Sequence, residues 1–485
     1  TFSVLPTTAD TLVEVLRQWT TRKPKENDNA DAHETHSITQ EITWRTEQIY
    51  RLAQIRHQNW PKAPSDKPTK QETDERYENY IKEIEPELDH SEEQIREWLE
   101  LNQDAPLISI IIPTYNTNSN HLRECIESVC RQSYPNWELC ICDDSSSAVS
   151  VKTILRSYQS SDPRVKLIFR EKNGHICEAS NDALRMATGE YVALLDHDDI
   201  LADNALYWVA RELQKKPQAN LIYSDEDKVN DDGMRACPHF KPAFNIDLLL
   251  SYNFISHLGV YRREILKQIG GFRVGFEGSQ DHDLALRTVL ESSPDQIIHI
   301  PRVLYHWRAH SESTASNPDS KDYTTESGHK AVQHFLDEQH RRGGVRATAR
   351  IKAKNRFTCQ WHIPEKSPSV ELIIPTRDQA EVLNLAVNSI ITKTTYTNYT
   401  ITVVDNQSEE VATKNLFKNL KRVHGEKINI IKYNKKFNYS AINNYAVRKS
   451  TADIVVLVNN DVEVISSKWL QEIVSHTSRP DVGCV

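Results

Sequence analysis

The chain has 485 residues, 38% of them hydrophobic, and a formal charge of −9 from 59 basic and 68 acidic side chains. At roughly 150 residues per domain this predicts about three domains with ordinary cores, a soluble globular protein. The acidic balance argues against a nucleic-acid binder, because phosphate recognition normally shows as a basic excess or stripe, while still allowing a small anionic ligand, and no apolar run reaches the roughly 18 residues that span a bilayer.

The first residue is Thr1, and no basic-then-apolar leader pattern follows it, so the expected location is the cytoplasm. Residues 1–105 are charged and carry apolar side chains at helical spacing: Leu12, Val13, Leu16 and Trp19, then Ile42, Ile49, Leu52 and Ile55. This region reads as a helical arm independent of catalysis, so removing residues 1–100 is expected to leave the next domain folded. A solvated spacer is the plain reading; docking to a membrane surface at the inner face of the cell membrane, or to an assembly partner, is the alternative. Ser91 and Gln94 form a capping-box pattern ahead of Ile95, Trp98 and Leu99.

From Leu107 short β-rich runs alternate with amphipathic helices, the pattern of a parallel sheet built by right-handed crossovers. The strands are expected at Leu107, Trp137, Val165, Tyr191 and Leu221, with helices over His121–Gln132 and Asn181–Ala187. The fold class is therefore α/β, and residues 106–315 form a complete domain. Cys140 and Cys142 lie within an apolar strand, and the eight cysteines lack C-x-x-C spacing, so they read as buried reduced thiols. Lys330–His340 reads as helix and 341–368 as an irregular or β-rich connector, the two together forming a connector over 316–368.

A second copy starts at Val370. VELIIPT repeats ISIIIPT, and IVVLVNNDV repeats YVALLDHDD; Pro113 to Pro375 is 262 residues, Asp144 to Asp405 is 261, and Asp198 to Asp461 is 263. Near-constant offsets mark a duplicated domain, here residues 369–485, the first half of a second copy.

Ligands of an open parallel sheet sit beyond the carboxyl ends of its strands. Asp143 and Asp144, then Asp196, Asp198 and Asp199, then Asp225, Glu226 and Asp227 fall at such ends. So many carboxylates repel unless a cation sits among them, and Mg2+ or Mn2+ suits oxygen ligands. Turn-making and capping account equally for Asp143 and Ser145. Neither G-x-G-x-x-G nor a phosphate-binding loop follows the first strand, which removes support for hydride and P-loop phosphoryl transfer. Pro113, Thr114, Tyr115 and Asn116 stand there instead, an edge suited to a nucleobase and ribose.

Together IPTYN, CDDSS, KNGHICEASNDAL, LLDHDD, GFEGSQDHDLALR and YHWRAH resemble glycosyltransferase family 2, over about Leu107 to Thr314. YSDEDKV, HFKPAFN and LYHWR further resemble large bacterial tandem-domain enzymes that build O-antigen or capsule. The resemblance implies a GT-A fold, a nucleotide-sugar donor, a glycan or lipid-linked glycan acceptor, a divalent metal and no organic cofactor. It assigns Pro113, Thr114, Tyr115, Asn116, Asp144, Asn173, Gly174, Asn181, Asp196, His197 and Arg308 to the donor. Asp196, Asp198 and His306 go to the metal, and Asp281 is the general base. A carboxylate in reach of the acceptor hydroxyl can take its proton during an inverting displacement. Asp283 is the alternative base, or else holds Arg287 at i,i+4 on a helix; His306 reads as a metal ligand or as structural, and His310 as a phosphate contact. Trp208 and Trp307 read as packing.

In the second copy Thr376, Asp405, Asn459 and Asp461 take the donor positions, and with no match to Asp281 this half is expected to be inactive as it stands. Two other classes compete: a non-catalytic nucleotide-sugar-binding scaffold, and a sugar nucleotidyltransferase, whose glycine-rich basic loop is missing.

Overall fold

A computed structural model describes residues 70–309 and 322–485. The arm's expected helices before residue 70, and His310, lie outside the described residues. The described chain divides after Tyr80. Before that point lies helix α1 (Lys70–Asn79).

From Ile81 on, α2 (Glu85–Leu88) and α3 (Glu92–Leu101) precede the first sheet. The capping box is formed: Gln94 N donates to Ser91 Oγ and Ser91 N to Gln94 Oε1. Ile95 on α3 is 7% exposed and lies in the same apolar cluster as the strands that follow. The segment is therefore part of the next domain's core, contrary to the expectation of an independent arm.

The strands are β1 (Ile108–Thr114), β2 (Trp137–Asp143), β3 (Val165–Phe169), β4 (Tyr191–Leu194), β5 (Ile200–Leu201), β6 (Leu221–Val229), β7 (Arg235–His239), β8 (Gly259–Arg262) and β9 (Ile297–Arg308). They form one sheet in the order β3-β2-β1-β4-β8-β6-β9-β5, with β7 on β6. β3, β2, β1 and β4 are parallel neighbours; β8 runs antiparallel to β4 and β6, and β9 is parallel to β6. Helices α4 (Ser119–Cys130), α5 (Val149–Ser161) and α6 (His175–Met186) make the crossovers, so β1 and β2 are covered on both faces, mostly apolar and buried except for the half-buried Pro113. After them come α7 (Ala205–Lys215), α8 (Ile246–Ser251), α9 (Arg263–Gln268) and α10 (Gln280–Leu290).

β5, β7, β8 and β9 lie outside the five strands expected from the sequence. β9 contains Pro301, which demotes a strand, but the ladder tolerates it. Ser224 faces Ile300 and Asp225 faces Val303, so Pro301 and Arg302 are passed over at a bulge. The strand at Leu221 also runs on to Val229, which puts Asp225, Glu226 and Asp227 inside a strand rather than at its end.

Helix α11 (Asp322–Arg341) starts earlier than expected, and the connector contains a hairpin of β10 (Ala347–Ala353) and β11 (Arg356–Trp361). Gly328 lets them meet, since a Cβ there would stand 2.7 Å from the Phe357 ring. Of the eight free cysteines, 125, 140, 142 and 177 are buried as expected; Cys237 and Cys484 are exposed.

The second copy folds as β12 (Val370–Thr376), α12 (Ala380–Lys393), β13 (Tyr399–Asp405), α13 (Val411–His424), β14 (Ile428–Lys432), α14 (Tyr439–Val447), β15 (Ile454–Leu457) and α15 (Trp469–Thr477). Its sheet order, β14-β13-β12-β15, repeats β3-β2-β1-β4. The register corrects one alignment. Thr114 pairs with Asp143 and Thr376 with Asp405, so the counterpart of Asp405 is Asp143, at the same offset of 262 as the prolines. Each of these aspartates accepts the N–H of a serine three residues on, Ser146 or Ser408, a turn that both copies need. Asp144 corresponds to Asn406, and both backbone N–H groups bond the threonine carbonyl at the end of the neighbouring strand.

Candidate functional site

Because β4 lies parallel to β1, the turn Asp196-His197-Asp198-Asp199 emerges at the sheet's carboxyl edge beside Pro113. His197 Nδ1 meets the Pro113 carbonyl at 3.1 Å. Asp199, 1% exposed, accepts from the Tyr305 hydroxyl and from Arg308 N at 2.7 Å. The buried Arg308 donates from Nε to the Asp198 carbonyl at 2.8 Å and pairs with Glu124. His197 and Arg308, expected at the donor, thus help to hold the acidic turn in place.

The expected nucleobase edge is braced in a similar way. Asn116, at a φ of 47°, donates its N–H to Ser146 Oγ and accepts from Ser147 N, while the Tyr115 ring is exposed. Thr114 is buried. Asp144, 3% exposed, accepts the Gly174 N–H at 2.9 Å and pairs with Arg170 at 3.3 Å; Asn173 Nδ2 reaches the Asp144 carbonyl. Asn181, expected at the donor, braces the segment ahead of α10. Its amide bonds both backbone groups of Phe272, at 2.8 and 2.9 Å.

The acids of β6 need no metal, in contrast to the reading from charge repulsion. Asp225 accepts from His299 and from Lys241 N, and Asp227 pairs with Arg235 and with His306 at 2.6 Å. Glu226 bonds His239 Nδ1 at 3.1 Å and His257 Nδ1 at 2.9 Å, with the buried Lys241 ammonium 3.6 Å away. Burial works against the Glu226 anion, yet Lys241 and the two imidazoles hold its carboxyl far below the ordinary range.

His257 escaped the sequence reading. It stands alone in the apolar run NFISHLGV, 31 residues from Glu226, and no spacing rule links the two. Its ring stacks on Tyr305 with centroids 4.6 Å apart, and Nε2 lies 3.8 Å from Asp196 Oδ2. Although burial opposes the charge, the bond to Glu226 lifts the imidazole to about 9. The Asp196 carboxyl, half exposed at the cavity it lines, is raised first by desolvation there and then by Asp198 and Asp281, with His257 opposing.

Asp281 and Asp283 sit in the first turn of α10 and part company there. Asp283, 1% exposed, is gripped by Arg273 and by Arg287, whose Nε donates at 2.8 Å, the i,i+4 pair foreseen from spacing. Asp281 accepts from Asn253 Nδ2 at 2.8 Å and lines a cavity with Pro113, Asp196, Ser256 and His257. Trp208, 3% exposed, packs under Arg302 and donates to Asp89.

The residues present fit a divalent cation. A six-coordinate ion with bonds of about 2.1 Å sets its ligands about 3 to 4.2 Å apart. The 3.8 Å from Asp196 to His257 lies in that window, and ligand atoms of Asp196, Asp199 and His257 all fall within 4.8 Å of one another. Among the described residues this is the group of three that is gathered, not Asp196, Asp198 and His306; His306 is turned to Asp227. In the second copy Tyr439 bonds Asn459, and Asn460 reaches Thr376.

The profile of "Glycosyl transferase family 2" matches residues 109–270 and 371–485. The "Uncharacterized protein y4gI" of Sinorhizobium fredii is 44% identical over 79% of this chain and 42% of its own. The "O-antigen biosynthesis protein RfbC" of Myxococcus xanthus is 34% identical over 78% of this chain and 29% of its own. This chain thus spans less than half the length of either relative. Among solved structures, the Staphylococcus aureus TarS fragment 1-349 with UDP-GlcNAc is 19% identical over 48% of this chain and 72% of that one, with a TM-score of 0.38.

Proposed function

Because the chain belongs to glycosyltransferase family 2, we propose that it moves a sugar from a nucleoside-diphosphate donor to a hydroxyl of a growing surface glycan, inverting the anomeric carbon. One observation carries this reading: Asp196 and Asp281, brought from separate parts of the chain, line a single cavity. An acidic group that faces a metal-diphosphate and a second that faces an acceptor are what such a displacement needs. The edge from Pro113 to Asn116, with Asp144, Asn173 and Gly174, holds the nucleobase and ribose. Asp196 and Asp198 face the diphosphate, where a bound Mn2+ or Mg2+ neutralises charge on the departing group.

Asp281, aimed by Asn253, takes the acceptor hydroxyl's proton. The new oxygen–carbon bond forms as the bond from the anomeric carbon to the diphosphate breaks, and the electron pair leaves with the nucleoside diphosphate. The relative named for O-antigen biosynthesis supports a surface glycan as acceptor.

The test is release of nucleoside diphosphate from a panel of nucleotide sugars with Mn2+. Asp281→Asn should slow release by roughly 10² to 10⁴ while nucleotide affinity by calorimetry holds. Unchanged turnover in that variant would remove Asp281 as base. Pyrophosphate release from a nucleoside triphosphate and a sugar phosphate would replace the reading with a nucleotidyltransferase.

A further inference from the structure

We infer that His257 ligates the donor's metal ion through Nε2, with Glu226 as the positioning residue that fixes the ring. This rests on the transferase reading above. Three observations carry it. The Nδ1 of His257 is committed to the Glu226 carboxylate at 2.9 Å, so Nε2 is the nitrogen left for a ligand, and its proton is released to solvent as the cation binds. That nitrogen lies 3.8 Å from Asp196 Oδ2, and both residues line the cavity that Asp281 also borders. The ring cannot swing away, because it is stacked on Tyr305 and because Glu226 is itself pinned by His239. A carboxylate that accepts from one imidazole nitrogen orients the other toward a cation and makes it a stronger ligand. His306 likewise commits Nδ1 to a carboxylate, Asp227 at 2.6 Å, so position separates the two histidines: among the described residues it is His257, not His306, whose ring nitrogen is gathered with the Asp196 and Asp199 carboxylates.

The arrangement also explains why β6 spends a buried charge network on one histidine. Glu226 carries three cationic or polar partners from β7, from the segment after it and from the run before β8. Such a network is costly to bury unless each member is satisfied, and its His257 branch ends with Nε2 toward Asp196.

Pulsed EPR of Mn2+ bound to the full chain, with UDP, GDP or dTDP and with histidine either unlabelled or 15N-labelled, provides the test. Wild type should show a nitrogen coupling that follows the label. His257→Ala, or His257→Gln if alanine lowers the yield of folded protein by circular dichroism, should lose that coupling, and His306→Ala should keep it. Glu226→Gln should retain the coupling but weaken Mn2+ affinity about 10- to 100-fold. A coupling that survives at position 257 variants, or bound Mn2+ with no histidine coupling, overturns the assignment while leaving the transferase reading intact. Failure of wild type to bind Mn2+ with every one of the three nucleotides overturns both.

Discussion

Two aspartates one turn-step apart on α10 have opposite employment, and their neighbours decide which does what. Asp283 is enclosed between Arg273 and Arg287, so Asp283→Asn leaves two guanidinium groups without their buried anion. The expected loss is about 3 to 5 kcal/mol in urea unfolding, with little change in nucleotide affinity. Glu138 offers a pH test of the same principle. Burial disfavours its charge, but bonds from Lys166, Ser109 and Thr188 hold the carboxyl at about 2. A lowered folded value stabilises the protein above the unfolded value and is lost as pH falls toward 2. Wild type should therefore lose about 2 to 3 kcal/mol between pH 6 and pH 2 that Glu138→Gln does not lose, measured by thermal unfolding across that range. The spacing of Asp283 and Arg287 was legible in the sequence because helical periodicity makes them neighbours. Nothing comparable links His257 to Glu226, whose contact comes only from the pairing of β6 with β8.

At the scale of elements, α3 is the one whose role changed. Its capping box was readable, since it involves four successive residues, but its attachment was not. Ile95 enters the core, Trp98 packs edge-on to Tyr207 at 5.3 Å, and His90 bonds the Tyr207 hydroxyl at 2.7 Å, all from the segment ahead of β1 onto α7. A chain begun at Ile81 should hold its melting temperature for this domain, whereas one begun at residue 101 should not. Ile95→Ala alone should cost about 2 to 4 kcal/mol, as deletion of a buried branched side chain does. Equal melting temperatures for the two truncations would show that α3 adds nothing to the core.

For the whole molecule, the acidic edge divides into charge that the chain neutralises itself and charge that it leaves for a ligand. Asp225, Glu226 and Asp227 all have cationic or imidazole partners in the fold, whereas Asp196 and Asp199 gather with His257. Chelation should therefore leave the melting temperature of the nucleotide-free protein unchanged while abolishing metal-supported nucleotide binding, by differential scanning fluorimetry and calorimetry respectively. A large drop in melting temperature on chelation would mean that the cation is structural. The two copies share a strand order and a turn, yet Asp196 is matched by Asn459 and Asp144 by Asn406, so the second sheet keeps the scaffold and loses carboxylates at its edge.

The sequence by itself determined the α/β class, the duplication, the acidic turn after β4 and the pair of aspartates on α10. These are local signals: strand and helix periodicity, internal repetition, and spacing within one turn. Tertiary structure decided which acids are free to meet a ligand. Arg308, His306, Asn181 and the β6 carboxylates looked like site residues because charge and polarity gathered in their motifs. Apart from Arg235, His239 and Lys241, on or just after β7, their partners come from far along the chain, and only the assembled sheet brings those within hydrogen-bond reach. The same packing carries a lone histidine from an apolar run to the side of Asp196, since pairing across β8 and β6 sets distances that no linear spacing encodes.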